Sequence, residues 1–210
     1  MTNSASAPAV HRSISRLIAF SDGVVSIAAT LLVLPLVDSA VNEQLGSFGE
    51  FFAKNGGQLG VLALSFAVIL RFWLIHHALF DDLVGFTPAL FWANAVWLLS
   101  IVVIPFPTQL IAGDGAQSRT TDGIYIGTMF LTSVSGLVIK AIIARHPEIR
   151  SADAKALDGL GPSVIAAATM GIALIVAVAL PNIGLWALLL LFLDLPAERI
   201  LQRRNRIPAP

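Results

Sequence analysis

The sequence predicts an all-α, polytopic membrane protein with six transmembrane helices in one chain. Three observations lead to this fold class: 56% of the 210 residues are hydrophobic, only 12% are charged, and the mean hydropathy is +0.82. Soluble domains carry about 25% charged residues, and a chain of this length could not hide so much apolar surface from water. The formal net charge of zero argues against a nucleic-acid partner, and the absence of cysteine excludes disulfides and thiolate chemistry.

A membrane-spanning helix needs about 20 mainly apolar residues, and six segments of this chain meet or approach that length. In chain order they are residues 17–37, 59–79, 88–111, 124–144, 164–180 and 183–195. The polar or charged connections between the first five are residues 38–57, 81–82, 113–122 and 145–158. The sixth segment is short, and we predict it as a span because the turn of Pro181 and Asn182 leaves the chain only an antiparallel return path.

The distribution of basic residues predicts that both termini are cytoplasmic. With six spans and an inner N-terminus, ten of the thirteen Lys and Arg residues lie inside, two lie outside, and Arg71 lies within a span. Inner loops of membrane proteins carry such an excess. The chain then divides into a cytoplasmic segment (1–15), a six-helix membrane domain (16–201) and a basic cytoplasmic tail (202–210). A lone six-span unit without targeting signals favours the inner (plasma) membrane of a prokaryotic cell.

One face of the first span combines apolar and hydroxyl side chains. Gly23, Ile27, Thr30 and Leu34 are spaced i, i+4, i+7 and i+11, and Leu31 flanks them. In a symmetric oligomer, Ile27 from each subunit would meet at the axis and form a hydrophobic constriction that gates by dewetting. Ordinary helix packing explains the same spacing, because small residues let helix backbones approach closely. Spacing alone favours the packing interpretation.

The charged residues of the first span need partners, because an ionisable group at mid-helix costs roughly 2.5–3.5 kcal/mol. Arg16 and Asp22 are six residues apart, so they do not share a helix face and cannot neutralise each other. The candidate partners on the second and third spans are Arg71, Trp73, His76, His77 and Asn94. Three interpretations stay open: a polar clasp that fixes the helix, a proton relay through Asp22 and His77, or simple hydration of Arg16 and Asp22 at the cytoplasmic edge.

No motif in the chain indicates a metal site, a catalytic site or a carbonyl selectivity filter. Adjacent helix residues point about 100° apart, so His76 and His77 cannot easily bind one ion. The sequence contains no TVGYG-like loop, no G-x-x-x-x-G-K motif and no H-E-x-x-H motif. We therefore expect no cofactor, no metal site and no enzymatic activity.

The first span opens with the pattern Arg16-x-x-x-Phe20-Ser21-Asp22. This pattern resembles the R-x-x-x-F-S-D signature of the transmembrane protein 175 family, which comprises endosomal and lysosomal potassium channels and their prokaryotic relatives. The similarity continues over residues 26–35, and Trp73-x-x-x-His77 in the second span fits it too. The resemblance is strong over the first two spans and architectural over the last three, and it indicates a prokaryotic member of this family.

The resemblance implies a potassium-selective cation channel in which four chains surround a pore lined by the first helix, without a filter loop. By position, Ile27 would be the hydrophobic constriction and Thr30 would help to favour potassium over sodium. Leu31 and Leu34 would form further apolar rings. The residues of the implied structural clasp are Arg16, Phe20, Ser21, Asp22, Trp73 and His77. The implied partners are potassium ions, the lipid bilayer and the other chains of a homotetramer.

Two other classes of function are weighed against the channel. A proton-coupled secondary transporter would use Asp22 and His77 as titrating groups, although the sequence shows no internal repeat of the kind that such carriers contain. A membrane enzyme or assembly scaffold would pass no ions, and the lack of any catalytic motif makes it the weakest alternative.

Overall fold

The computed structural model of the chain describes residues 7–42, 47–112, 119–154 and 159–179. This part of the chain folds into seven α-helices without a β-strand, as an all-α fold requires. In chain order the helices are α1 (Ala7–Leu31), α2 (Leu34–Asn42), α3 (Phe48–Phe80), α4 (Pro88–Val103), α5 (Pro105–Ala112), α6 (Arg119–Arg145) and α7 (Gly161–Ala179). A short 3-10 turn, Pro147–Ile149, follows α6.

Four helical stretches are long and apolar enough to cross a membrane, and they coincide with the first four predicted spans. They are Ile14–Val41, Gly49–Phe80, Pro88–Ala112 and Thr120–Arg145. Helix α7 lies where the fifth span is predicted, and its apolar part, Gly161–Val176, is shorter than the other four. The predicted sixth span and the basic tail lie outside the described residues, so the total of six spans stays a prediction.

The first span is two helices with a short break. Pro35 has no backbone N–H, and its ring clashes with the carbonyl of the residue four positions earlier, which is Leu31, the last residue of α1. The backbone N–H of Leu36 bonds to the carbonyl oxygen of Val33 at 3.0 Å, which restarts the helix at once. The chain therefore continues as α2 directly after the break.

The polar stretch over residues 38–57 is mostly helical rather than an extended connection between the first two spans. Helix α2 continues to Asn42, and α3 begins at Phe48. The Oγ of Ser47 accepts a hydrogen bond from the backbone N–H of Glu50 at 3.3 Å, so a local N-cap starts the helix early. Asn55 has non-helical angles (φ −101°, ψ 16°) and marks a kink where the polar part of α3 meets its apolar part.

One side of α1 and α2 is buried along its whole length. The buried residues are Ile14, Leu17, Ser21, Val25, Ala28, Leu32 and Leu36. Their spacing of three or four residues defines a single helix face, which packs against α3 and α4. The opposite side, which we call the exposed stripe, consists of Arg16, Phe20, Gly23, Ile27, Thr30, Leu31, Leu34, Asp38 and Val41. Both faces keep their phase through the break before Pro35.

Helix α6 lies at the centre of the described bundle and packs against both α4 and α7. Gly171 of α7 lies close to α6, since an added Cβ there would lie 3.2 Å from a ring carbon of Phe130. The largest side chains buried around α6 include Trp97 of α4 and Tyr125 of α6 itself.

Two connections meet at one end of the bundle. The N–H of Val84, between α3 and α4, donates to the carbonyl of Ile149, between α6 and α7, at 2.9 Å. The N–H of Ser151 donates back to the carbonyl of Asp82 at 2.8 Å. These two connections have to lie on one side of a membrane if consecutive spans alternate in direction. Beside them, a hydrogen bond from His146 lowers the pKa of the exposed Glu148 carboxyl.

Candidate functional site: the first helix and its polar junction

A hydrogen bond joins the first span to α3. The indole Nε1–H of Trp73 donates to the Oδ1 of Asp22 at 2.8 Å, and both side chains are half-buried. One helical turn further along α3, the ring of His77 stacks on the indole of Trp73, with centroids 5.2 Å apart. The structure thus brings together three residues that the sequence nominates for one site: Asp22, Trp73 and His77.

A second set of hydrogen bonds runs through three helices. The Oγ of Ser21 donates to the carbonyl of Leu17 at 2.9 Å and accepts from the Nδ2 of Asn94 at 3.0 Å. The Oδ1 of Asn94 lies 2.7 Å from the Nε2 of His76. Because an amide oxygen only accepts, Nε2 of His76 carries the proton of that bond. Ser21, Asn94 and His76 are all buried, so these bonds tie α1, α4 and α3 together where water cannot compete.

Aromatic rings enclose the imidazole of His76. Its ring stacks on Trp97 with centroids 4.0 Å apart and on Phe80 with centroids 4.2 Å apart. The stacking holds the imidazole plane in place, and the hydrogen bond to Asn94 fixes its rotation. His76 is therefore packed as part of the helix interface, whereas the neighbouring His77 is exposed.

Arg16 and Phe20, the other two residues nominated for the clasp, lie away from this junction. Both are on the exposed stripe, and 62% of Phe20 is accessible. No hydrogen bond or ion pair joins Arg16 to Asp22, as their spacing of six residues predicts. Arg71, a further candidate partner, is half-buried on α3. Within one chain, the polar junction therefore consists of Ser21 and Asp22 with residues of α3 and α4.

The residues nominated for a constriction are among the exposed side chains of the first span. Ile27 is 61% accessible, and Leu31 and Leu34 are also exposed. The Oγ1 of Thr30 donates to the carbonyl of Ile27 at 2.8 Å, so its proton is bound to its own helix and its oxygen lone pairs face outward. The described part of the chain therefore leaves Ile27 without a covering helix.

Buried hydroxyl groups form two further cross-links, which the sequence analysis missed. Ser65 Oγ and Tyr125 Oη are 2.8 Å apart, and Thr108 Oγ1 lies 3.0 Å from Ser65 Oγ, so α3, α5 and α6 meet there. Thr132 Oγ1 lies 2.9 Å from Ser100 Oγ, which links α6 to α4. Hydroxyl residues inside apolar spans are the only sequence signal for such pairs, and this signal does not say which two residues meet.

The described residues contain no group of three His, Asp or Glu side chains that could hold a metal ion. The polar junction uses its donors and acceptors to bind helices to one another. Between Arg16 and Asp38, the exposed stripe offers apolar side chains and the hydroxyl of Thr30 to whatever lies beside the first span.

Comparison with known proteins gives consistent matches. The family model of the endosomal/lysosomal potassium channel TMEM175 matches residues 16–105. A potassium channel from Chamaesiphon minutus is 33% identical over 123 residues, which are 57% of this chain and 60% of that protein. A potassium channel from Streptomyces collinus is 36% identical over 99 residues, or 46% of this chain and 47% of that protein. The chain thus aligns with less than two thirds of the length of these curated relatives.

A solved structure shares the fold. It is the crystal structure of a lysosomal potassium-selective channel TMEM175 homolog from Chamaesiphon minutus, with a TM-score of 0.57 and 24% sequence identity. The superposition covers 87% of this chain and 98% of that chain.

Proposed function

We propose that the chain is a member of the TMEM175 family and a potassium-selective cation channel that works as a homotetramer. The observation that carries the proposal is the exposed stripe: the helix that holds Ser21 and Asp22 leaves one face, with Ile27 at its middle, uncovered by the described part of the chain. Four copies arranged around an axis would cover that face and line a pore with it. The relatives that are named potassium channels support the same function.

The proposed pore selects by dehydration at an apolar constriction rather than by a carbonyl filter. Ile27 forms the narrowest ring, and Leu31 and Leu34 form further apolar rings. A hydrophobic constriction passes an ion only when water or a ligand replaces part of its hydration shell. Potassium gives up hydration water more readily than sodium does, and the free lone pairs of the Thr30 hydroxyl are placed to replace it.

The polar junction has a structural role in this proposal. The bonds from Asp22 to Trp73 and from Ser21 to Asn94 fix the rotation of α1, so that the exposed stripe faces the axis. Arg16 and Phe20 complete the clasp only through a neighbouring subunit, because they are exposed in a single chain.

The proposed channel sits in the plasma membrane with six spans per chain and both termini in the cytoplasm. The excess of Lys and Arg on one side supports this orientation. The meeting of the α3–α4 and α6–α7 connections at one end of the bundle supports the alternation of spans.

A proton-coupled transporter that uses Asp22 and His77 is less compatible with the geometry. The indole of Trp73 lies between the two residues, and its nitrogen is only a donor, so it cannot accept a proton from either of them. A transporter would show saturable, strongly pH-dependent flux that Asp22→Asn abolishes, whereas the channel shows flux without saturation.

Flux into liposomes tests the proposed function. We expect the purified protein to pass potassium in preference to sodium, and Ile27→Asn to increase the flux or reduce its selectivity, because a polar ring no longer excludes water. Ile175→Asn is the matched control, since Ile175 is equally exposed on α7 and away from the stripe. The absence of ion flux from an intact oligomer would contradict the channel proposal.

A further inference from the structure

The exposed stripe ends in a carboxylate. Asp38 lies four residues beyond Leu34 and two residues beyond the buried Leu36, which places it about 200° around the helix from the buried face. The next residue, Ser39, donates from its Oγ to the Oε1 of Gln58 on α3 at 3.2 Å. This bond links α2 to α3 at the residue next to the exposed Asp38.

Asp38 and Arg16 lie at matched distances on either side of Ile27. Each is eleven residues from it, or about 16 Å along a helix that rises 1.5 Å per residue. The two charges are thus about 33 Å apart, close to the hydrocarbon thickness of a bilayer of about 30 Å. A bilayer centred on Ile27 would have one of these residues near each surface, and they carry opposite signs at the two ends of one stripe.

We propose that Asp38 is a cation-gathering residue: in the assembled channel, four Asp38 carboxylates form a ring at the mouth opposite the N-terminal end and concentrate potassium ahead of the constriction. This inference rests on the proposed function, because the ring exists only if the exposed stripe faces the symmetry axis. A ring of carboxylates attracts cations, and a cleft with low-dielectric walls concentrates them further. Arg16 gives the cytoplasmic mouth no such attraction, so the two mouths differ in charge.

The conductance at low salt tests the ring. Asp38→Asn keeps the shape and removes the charge, and we expect it to lower the current that enters from the Asp38 side about threefold at 20 mM potassium, because surface charges reach far at low ionic strength. At 1 M potassium the currents of the wild-type protein and of Asp38→Asn should be nearly equal. The ratio of potassium to sodium permeability should not change, because the constriction is intact. Glu50→Gln is the matched control, since Glu50 is an exposed acid at the start of α3 and off the stripe.

A second measurement reports the local charge without depending on current. The chain contains no cysteine, so a single Val41→Cys, three residues beyond Asp38 on the stripe, gives one reactive thiol. We expect a cationic methanethiosulfonate to modify it faster than an anionic one, and Asp38→Asn to reduce that ratio severalfold. Glu50→Gln should leave the ratio unchanged.

The outcomes separate this inference from the channel proposal. A wild-type protein that conducts potassium selectively, with neither low-salt current nor reagent ratio altered by Asp38→Asn, overturns the ring and leaves the channel standing. A wild-type oligomer without flux overturns both. Loss of low-salt current together with a lower reagent ratio supports the ring.

Discussion

At the scale of single residues, the structure explains how an apolar helix tolerates Asp22. The half-buried carboxylate accepts a hydrogen bond from the Trp73 indole, and Ser21 beside it accepts one from Asn94. The sequence nominated all of these residues, since each is a polar side chain in an apolar span. It did not say which of them pair, because the contacts join residues more than 50 positions apart.

Replacing Trp73 with Phe tests the bond to Asp22. We expect Trp73→Phe to lower the stability of the folded protein by about 0.6–1.7 kcal/mol, the range measured for hydrogen bonds between membrane helices. Thermal unfolding in detergent, followed by loss of the monodisperse peak, measures the change. Trp92→Phe is the matched control because Trp92 is 68% exposed on α4, and an equal effect of both substitutions would show that the bond contributes nothing.

At the scale of the helices, burial rather than local composition determines where each helix begins and ends. The first four spans could be predicted because about 20 apolar residues in a row admit few other structures. The helical parts of residues 38–57 could not, because their Gly, Ser and Asn residues favour turns, and only the Ser47 cap and the contact of α2 with α3 show why they are helical. The break before Pro35 separates α1 from α2 within the first span.

The packing of α6 against α7 depends on the absence of a side chain at Gly171. We expect Gly171→Ala to destabilise the protein, because the new methyl group would press on the Phe130 ring from 3.2 Å. Gly60→Ala is the control, since nothing lies within 4 Å of a Cβ at that position, and it should stabilise α3 by up to about 1 kcal/mol through helix propensity.

A second substitution, at Phe130, tests whether its ring causes the cost of Gly171→Ala. Phe130→Leu removes the ring atoms that the new methyl group would meet, so in this background Gly171→Ala should cost less than it does alone. Equal costs in both backgrounds, measured by thermal unfolding, would mean that the close approach is not the cause.

At the scale of the whole molecule, the described bundle buries one face of its first helix and exposes the other. The buried face carries the polar junction, and the exposed stripe carries Ile27, Thr30, Leu31 and Leu34 between Arg16 and Asp38. The sequence spacing alone could not distinguish a pore face from a packing face. The exposure of the stripe shows that the described residues of the chain do not pack against it.

Site-directed cross-linking can detect whether Ile27 of each subunit faces a common axis. Ile27→Cys and Ile175→Cys each introduce one thiol into a chain without native cysteine, at similarly exposed positions. A short bifunctional thiol reagent is preferable to oxidation, because a disulfide needs Cα atoms within about 4.4–6.8 Å. If Ile27 faces the axis, we expect covalent dimers from Ile27→Cys in membranes and monomers from Ile175→Cys. Monomers from Ile27→Cys, in an oligomer shown to be intact, would contradict it.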